Sequence, residues 1–381
     1  MKIIKTTHGL IKSWCNNPEQ GAIDQAINLT KLPFIFKHIC LMPDTHQGYG
    51  MPIGGVMATK GVIVPNAVGV DIGCGMLAVK TDLTELSFED RKYLVGKIRE
   101  NVPVGFKHHT ETQKWTGFDN APDEKIIQRE LKSAQYQIGT LGGGNHFIEI
   151  QKGSDGFIWI MIHSGSRNIG FKIAKEYHDQ AKKLCSKWYS DIPTPDLAFL
   201  PIDTSEAKNY IMAMDFAIDF ALENRRMMLS SIVDAFDGTG AIFDKEINIH
   251  HNYARYENHY KTNVIVHRKG ATSARQGEIG IIPGSQGTCS YIVEGKGSPE
   301  SFSSCSHGAG RKMGRKQAKR ELNLEAEKSK LTAMNIVHSI RNVEDLDEAP
   351  GAYKNIDTVM QEQADLIKPI VKLTPLAVVK G

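Results

Sequence analysis

Two short apolar runs, residues 157–162 and 263–266, each lead directly into a polar motif that opens with a histidine, His163 in one case and His267 in the other. Both runs read as buried strands, and chemistry placed at strand ends is a common arrangement in α/β and α+β enzymes. Residues 34–42, 61–64 and 76–79 are further apolar stretches broken by Gly and Pro, which predict buried strands joined by irregular loops. A helix is expected after Leu86, with Ser87 as its cap and Phe88, Tyr93, Leu94 and Ile98 following; a longer one starts near Thr204 and Ser205. In the latter, Tyr210, Ala213, Met214, Ala217 and Ala221 recur at three- and four-residue steps and form one apolar stripe, read as core packing. No internal repeat, low-complexity linker or domain boundary interrupts the chain. Residues 345–355 form a turn-rich loop with too little sequence behind it for a further domain. The expectation is one compact α+β domain over residues 1–381, with its polar motifs converging.

A chain of 381 residues can bury a large core. Its 46 Lys and Arg against 43 Asp and Glu leave a formal charge of +3, so attraction to nucleic acid must come from local patches. The one charge cluster is Arg311, Lys312, Arg315, Lys316, Lys319 and Arg320. Six cysteines are scattered without a CxxC, which suits a reducing compartment. The N-terminus has no apolar stretch of signal-peptide length, and no run of about 18 apolar residues could span a bilayer. A soluble, cytoplasmic protein with no membrane partner is expected.

Pro43-Asp44-Thr45-His46-Gln47-Gly48-Tyr49-Gly50 is followed by Val70-Asp71-Ile72-Gly73-Cys74-Gly75. Asp71 and Cys74 are a hard and a soft ligand three positions apart, with glycines that let the backbone turn both toward one ion. An Asp in a Gly-rich turn is more often a local hydrogen-bonding residue, and a histidine at a strand end is usually structural. Here three histidines join them: His146 after Gly142-Gly143-Gly144-Asn145, His163, and His251 in His250-His251-Asn252. Together they provide mixed ligands for two adjacent divalent ions, with the Cys sulfur suited to bridging. The set fits Mn²⁺, Zn²⁺ or Co²⁺ and would be unusual for Mg²⁺.

The Gly139-Thr140-Leu141-Gly142-Gly143-Gly144 run lacks the Lys-Ser/Thr of a Walker loop, and no GxGxxG opens a helix after the first strand. Two loops of small residues remain as anion-binding candidates, Pro283-Gly284-Ser285-Gln286-Gly287-Thr288-Cys289-Ser290 and Ser306-His307-Gly308-Ala309-Gly310-Arg311. His307 lies between a serine-rich run and the cation cluster. A neutral imidazole there is a competent nucleophile toward an α-phosphorus, with Arg311 and Arg315 expected one turn apart beside it to drain charge; a turn histidine beside an exposed basic helix face is the plainer alternative.

The segments PDTHQGYGMPIGGV, NAVGVDIGCGM, GTLGGGNHFIE, HSGSRNIG, HHNYA, HRKGA, PGSQGT and SHGAGRKMGR resemble, in order, the signatures of the RtcB RNA-splicing ligases, from Pro43 to the terminal Val-Lys-Gly. The resemblance implies mixed β-sheets around a central dinuclear metal cleft. It implies two Mn²⁺ ions, one held by Asp71, Cys74 and His146 and the other by Cys74, His163 and His251, with His307 as the guanylylated nucleophile. Guanylate contacts would fall on Asn145, Glu149, Asn252, Ser285, Ser290, His307, Gly308, Ala309, Gly310 and Lys380. A Glu149 carboxylate can accept from guanine N1–H and N2–H while Lys380 donates to O6, a pattern that adenine does not satisfy, so GTP is expected over ATP. The chain departs from the family pattern at Gln286, where a methionine is usual, and at Gly314, where a serine is common; neither removes a ligand or the nucleophile.

The implied activity joins an RNA 3′-phosphate, or a 2′,3′-cyclic phosphate after hydrolysis, to a 5′-hydroxyl end, in tRNA splicing or RNA repair, with an archease-like activator as a potential partner. Arg167, Arg311 and Arg315 are the candidates for holding RNA phosphates. A two-metal RNA phosphodiesterase or phosphatase would fit the ligands alone but has no use for a guanine-reading pair. A non-catalytic RNA-binding subunit would need none of the ligands, and all are present.

Overall fold

The computed structural model describes residues 1–381 and is built on two large sheets. The seven-stranded sheet runs, edge to edge, Ile247–His250, Gly75–Lys80, Ile158–Ser164, Phe147–Gly153, Ile367–Lys380, Ser290–Gly295 and Ile279–Ile282, all antiparallel. The six-stranded sheet runs Lys2–Lys5, Leu10–Ser13, Ile35–Tyr49, Met51–Thr59, Thr262–Lys269 and Asn252–His259, with one parallel pair, Leu10–Ser13 on Ile35–Tyr49. One antiparallel and one mixed sheet with long helices make the fold α+β, as expected.

Strand Ile158–Ser164 shows why an unbroken apolar run was needed. Ile158, Ile160 and Ile162 pack with Met228 and Ile232 on one face, while Trp159 and Met161 pack with Met76, Ile336 and Leu373 on the other. With both faces covered, neither side of the period-2 alternation can be polar. Met228 and Ile232 belong to the helix Ser205–Ala235, whose stripe Tyr210, Ala213, Met214, Ala217 and Ala221 is buried throughout. The helix Phe88–Asn101 begins where Ser87 and Asp90 form a reciprocal capping box.

The register places the polar motifs together. Gly75 pairs with both Ser164 and His250, Phe147 pairs with both His163 and Lys380, so Cys74, His146, His163, His251 and Lys380 all meet at one end of the seven-stranded sheet. His251 is the single residue between Ile247–His250 in this sheet and Asn252–His259 in the other, so it marks the point where the chain crosses between them. His267, the other strand-end histidine, is fully buried and its Nε2 accepts from the Val64 amide at 3.0 Å. It is a core residue.

One expectation changes. Arg311 and Arg315 do not share a helix: the helix is Arg315–Glu321, and Arg311 lies before it, bridged to Tyr353. The turn-rich stretch near the C-terminus is two 3₁₀ turns, Val343–Glu348 and Pro350–Ala352, and it reaches into the site. No helix is long and apolar enough to cross a membrane.

Candidate active site

At the common sheet end Cys74 Sγ lies 3.5 Å from His146 Nε2 and 3.3 Å from His163 Nε2, and His146 Nε2 is 3.1 Å from Asp71 Oδ2. Two sets of ligand atoms, Asp71/Cys74/His146 and Cys74/His163/His251, each lie within 4.8 Å of one another and share the one sulfur. Orientation of the rings is fixed from behind: His146 Nδ1 pairs with the Leu141 carbonyl at 2.9 Å and His163 Nδ1 with the Asn145 carbonyl at 3.0 Å. That places both protons on Nδ1 and aims the Nε2 lone pairs at the sulfur, the usual arrangement behind metal-ligating histidines. His251 Nδ1 is buried with no partner. Burial, with the charges of neighbouring histidines, drives the His163 and His251 pKa values well below the ordinary range, so both are neutral donors. Burial and the Asp71 charge raise that of Cys74, so a cation binding there must displace the thiol proton. Five converging donors, two of them rings fixed from behind, fit a pair of borderline cations.

Beneath the cluster lies Arg225, which sequence reasoning missed. It is fully buried on the helix Ser205–Ala235 and donates to the carbonyls of Gly73 at 3.1 Å and Ser164 at 2.8 Å and to Asn248 Oδ1 at 2.7 Å. One guanidinium thus ties together the ends of the segments carrying Asp71 and Cys74 and carrying His163. Neighbouring Asn224 accepts from the amides of Gly139 and Thr140 at 2.7 and 3.0 Å, and so anchors the loop that leads to His146.

His307 follows the short strand Ser304–Ser306 and packs edge-on against His251, ring centroids 4.7 Å apart. Its Nδ1 is 2.6 Å from Asp44 Oδ2, which also accepts from the His307 amide at 3.0 Å and the Gly308 amide at 3.3 Å. Asp44 is wholly buried. It therefore holds the Nδ1–H tautomer and leaves Nε2 as the free lone pair, the geometry a nucleophilic imidazole requires. Gly310 makes the fit possible: its φ is +73°, and a Cβ there would stand 2.3 Å from the Asp44 carbonyl oxygen. Lys354 holds the other side of Asp44, donating to the carbonyls of Pro43 at 3.2 Å and Thr45 at 2.6 Å. Asp44 belongs to a motif evident in the sequence, but only the fold brings it to His307.

A cavity of about 230 Å³ opens beside His307, with Asn145, Glu149, His163, Ser285, Gly308, Ala309, Gly310, Arg311, Arg315 and Lys380 in its lining. Asn252 and Ser290 lie outside it. Asn252 spends its amide on the Asp71 carbonyl (3.0 Å) and the Gly270 amide (2.8 Å), and Ser290 Oγ accepts from Gln151 and from the Gly284 amide, both at 3.1 Å. Ser290 thus supports Gly284 in the cavity wall, and Asn252 the turn that carries Asp71.

Two carboxylates face this space in opposite states. Burial pushes the Glu149 pKa up to about 8, against the Gln151 hydrogen bond and the Lys380 charge. Burial acts on Glu348 as well, but Lys380, Arg311 and Arg315 outweigh it and hold that carboxyl near 2. Lys380 Nζ lies 3.0 Å and Arg311 Nη1 3.1 Å from Glu348, and Arg311 stacks on the Tyr353 ring at 5.2 Å. Glu348, unmarked in the sequence, thus organises the cationic wall. Gln286 donates to its carbonyl at 3.0 Å, locking the 3₁₀ turn that delivers it. Gly314 takes the N-cap of Arg315–Glu321 without a side-chain cap. Arg167 stands at φ +56° with Nε 3.2 Å from Thr140 Oγ1, a conformation that costs a non-glycine residue roughly 1–3 kcal/mol and recurs at functional sites.

Comparison with known proteins gives a consistent result. The family described as tRNA-splicing ligase RtcB matches residues 25–118 and 108–381. The RNA-splicing ligase RtcB of Escherichia coli K12 is 40% identical over 411 aligned residues, covering 100% of this chain and 99% of the relative. The tRNA-splicing ligase RtcB of Thermococcus kodakarensis is 33% identical, covering 95% and 92%, and the RNA-splicing ligase RtcB of Mycobacterium tuberculosis 31%, covering 94% and 100%.

Proposed function

Because the chain belongs to the RtcB family of RNA-splicing ligases, an RNA ligase activity is its function, and we propose that it joins RNA 3′-phosphate or 2′,3′-cyclic phosphate ends to 5′-hydroxyl ends with GTP, through a covalent His307–GMP. The observation that carries this reading is the Asp44–His307 pair beside the shared-cysteine donor cluster: a tautomer-locked imidazole with an unspent Nε2, lining a cation-walled cavity. A phosphodiesterase or phosphatase has no need of such a nucleophile, and a binding subunit has no need of the cluster.

Residues 1–381 act as one catalytic domain. Two divalent cations, with manganese the implied species, would be held by Asp71, Cys74 and His146 and by Cys74, His163 and His251, and would supply Lewis-acid stabilisation of phosphoryl charge. His307 Nε2 attacks the α-phosphorus of GTP; an N–P bond forms and pyrophosphate leaves, while Asp44 stabilises the imidazolium. An oxygen of the RNA 3′-phosphate then attacks the same phosphorus, the N–P bond breaks, and the RNA end carries GMP. The 5′-hydroxyl finally attacks the RNA phosphate and GMP departs. Glu149 reads guanine N1–H and N2–H, Lys380 reads O6, and Asn145, Ser285 and the Gly308, Ala309 and Gly310 backbone surround the remainder. Arg167, Arg311 and Arg315 hold RNA phosphates; Arg311 and Arg315 do so by exchanging Glu348 for the substrate. The physiological setting is tRNA splicing or RNA repair in the cytoplasm, with an archease-like activator as the candidate partner.

The test is to incubate the pure protein with Mn²⁺ and α-labelled GTP. Acid-labile label on the wild-type chain and none on His307→Ala supports the reading; label on neither, with the protein shown to hold metal, overturns it.

A further inference from the structure

Phe106 is the most exposed large apolar side chain of the molecule, 101% accessible, and is flanked by exposed Lys107 and His108. Its loop is not adrift. Val104 bridges to Gly142, the Gly105 amide donates to the Gly142 carbonyl at 2.9 Å, and the Leu141 amide donates to the Pro103 carbonyl at 3.0 Å. Beyond the ring, the His109 amide donates to the Tyr136 carbonyl at 3.1 Å and its Nε2 lies 3.3 Å from the Gly139 carbonyl. Every anchor on the Gly139–Gly142 side belongs to the run that continues into Asn145 and His146.

That run is also where two guanidinium groups converge. A Cβ on Gly142 would meet Arg167 at 2.2 Å, one on Gly144 would meet Arg315 at 2.9 Å, and one on Gly143 would find Gly105 Cα at 3.8 Å. Gly142 and Gly144 therefore let two arginines close in on the run that pins the Phe106 loop, one of them, Arg315, in the cavity wall. A ring held out in water by a pinned loop, with Lys107 beside it and Arg167 and Arg315 against the run that pins it, is an arrangement by which single-stranded nucleic acid is gripped: bases stack on the ring and phosphates follow the charge.

Resting on the ligase reading, we propose that Phe106 is a stacking platform for a nucleobase of an RNA strand entering the site, with Lys107 and His108 beside that strand's phosphates. A 3′-phosphate strand and a 5′-hydroxyl strand offer the same base chemistry, and the experiment separates them. Full-length Phe106→Ala and Phe106→Trp are compared with the parent in RNA-free self-guanylylation and in ligation, varying each strand in turn. The expected result is unchanged guanylylation and, for one of the two strands, a KM raised roughly 10- to 100-fold in Phe106→Ala with kcat at saturation nearly kept, as loss of one stacked base implies. Phe106→Trp restores KM. An abasic nucleotide at the end of that strand removes the difference between parent and Phe106→Ala. Parental KM values for both strands in Phe106→Ala, or a defect that persists on abasic RNA, overturn the proposal. A parent that neither takes up GMP nor joins RNA overturns the ligase reading and this inference with it.

Discussion

At the scale of single residues the site works by fixing protons. Asp44 holds one on His307 Nδ1, so Asp44→Asn, which can present its NH₂ instead of a carboxylate, is expected to lower guanylylation by about 10²- to 10⁴-fold, by analogy with orienting carboxylates behind catalytic histidines. Single-turnover GMP transfer measures this, and metal content should not change. Glu149 gives a second test. Its pKa near 8 means that it is protonated at neutral pH before nucleotide binds, whereas guanine N1–H and N2–H favour the carboxylate. Nucleotide binding then expels a proton below pH 8. Affinity for GTP should rise as pH increases from 6 toward 8, by up to about tenfold per unit, and flatten above it. Calorimetric titration across this range checks it: Glu149→Gln should bind more weakly and lose the slope, and an unchanged slope in that variant assigns the proton to another group.

At the scale of elements, what could be read in advance was what depends on near neighbours. The capping box at Ser87 and Asp90 and the stripe on Ser205–Ala235 are written within a few residues. The metal-ligand set stood out because Asp71, Cys74 and His146 sit in glycine-rich turns and His163 and His251 at strand ends, although the sequence could not say that one sheet end collects them. Asp44, Arg225 and Glu348 escaped notice because their partners are remote: Asp44 is 263 positions from His307. Arg225 sits on a helix face that otherwise reads as core. The capped helix provides a control: Ser87→Ala should cost about 1 kcal/mol in chemical denaturation and leave activity intact. Arg225→Met should be far costlier to the site, since it leaves the Gly73 and Ser164 carbonyls buried without their donor, about 1–3 kcal/mol for each group. Reduced metal content at unchanged secondary structure is the expected readout.

On the scale of the whole molecule, buried charge ties the six-stranded sheet to the short strand that precedes His307. Arg268 on Thr262–Lys269 pairs with Glu257 and donates to Ser304 Oγ at 2.9 Å and the Phe302 carbonyl at 3.0 Å, steadying the strand before His307. Burial alone would raise the Glu257 pKa, but Arg268 and His259 bring it to about 2. Because the folded value lies below the unfolded one, this stabilisation is complete above about pH 4.5 and is lost as pH falls from there toward 2. It amounts to on the order of 3 kcal/mol. Thermal unfolding of Glu257→Gln should show a lower midpoint than the parent at pH 7 and a shallower fall in acid. The central claim, that His307 carries GMP while a separate donor cluster serves the phosphoryl steps, is tested most directly by sealing RNA whose 3′-phosphate already bears GMP. His307→Ala should keep its metal, form no adduct from GTP, and still join this activated RNA at a substantial fraction of the parent rate, whereas His163→Ala should fail on both substrates. Loss of metal from His307→Ala, or failure on activated RNA as complete as that of His163→Ala, would contradict the account.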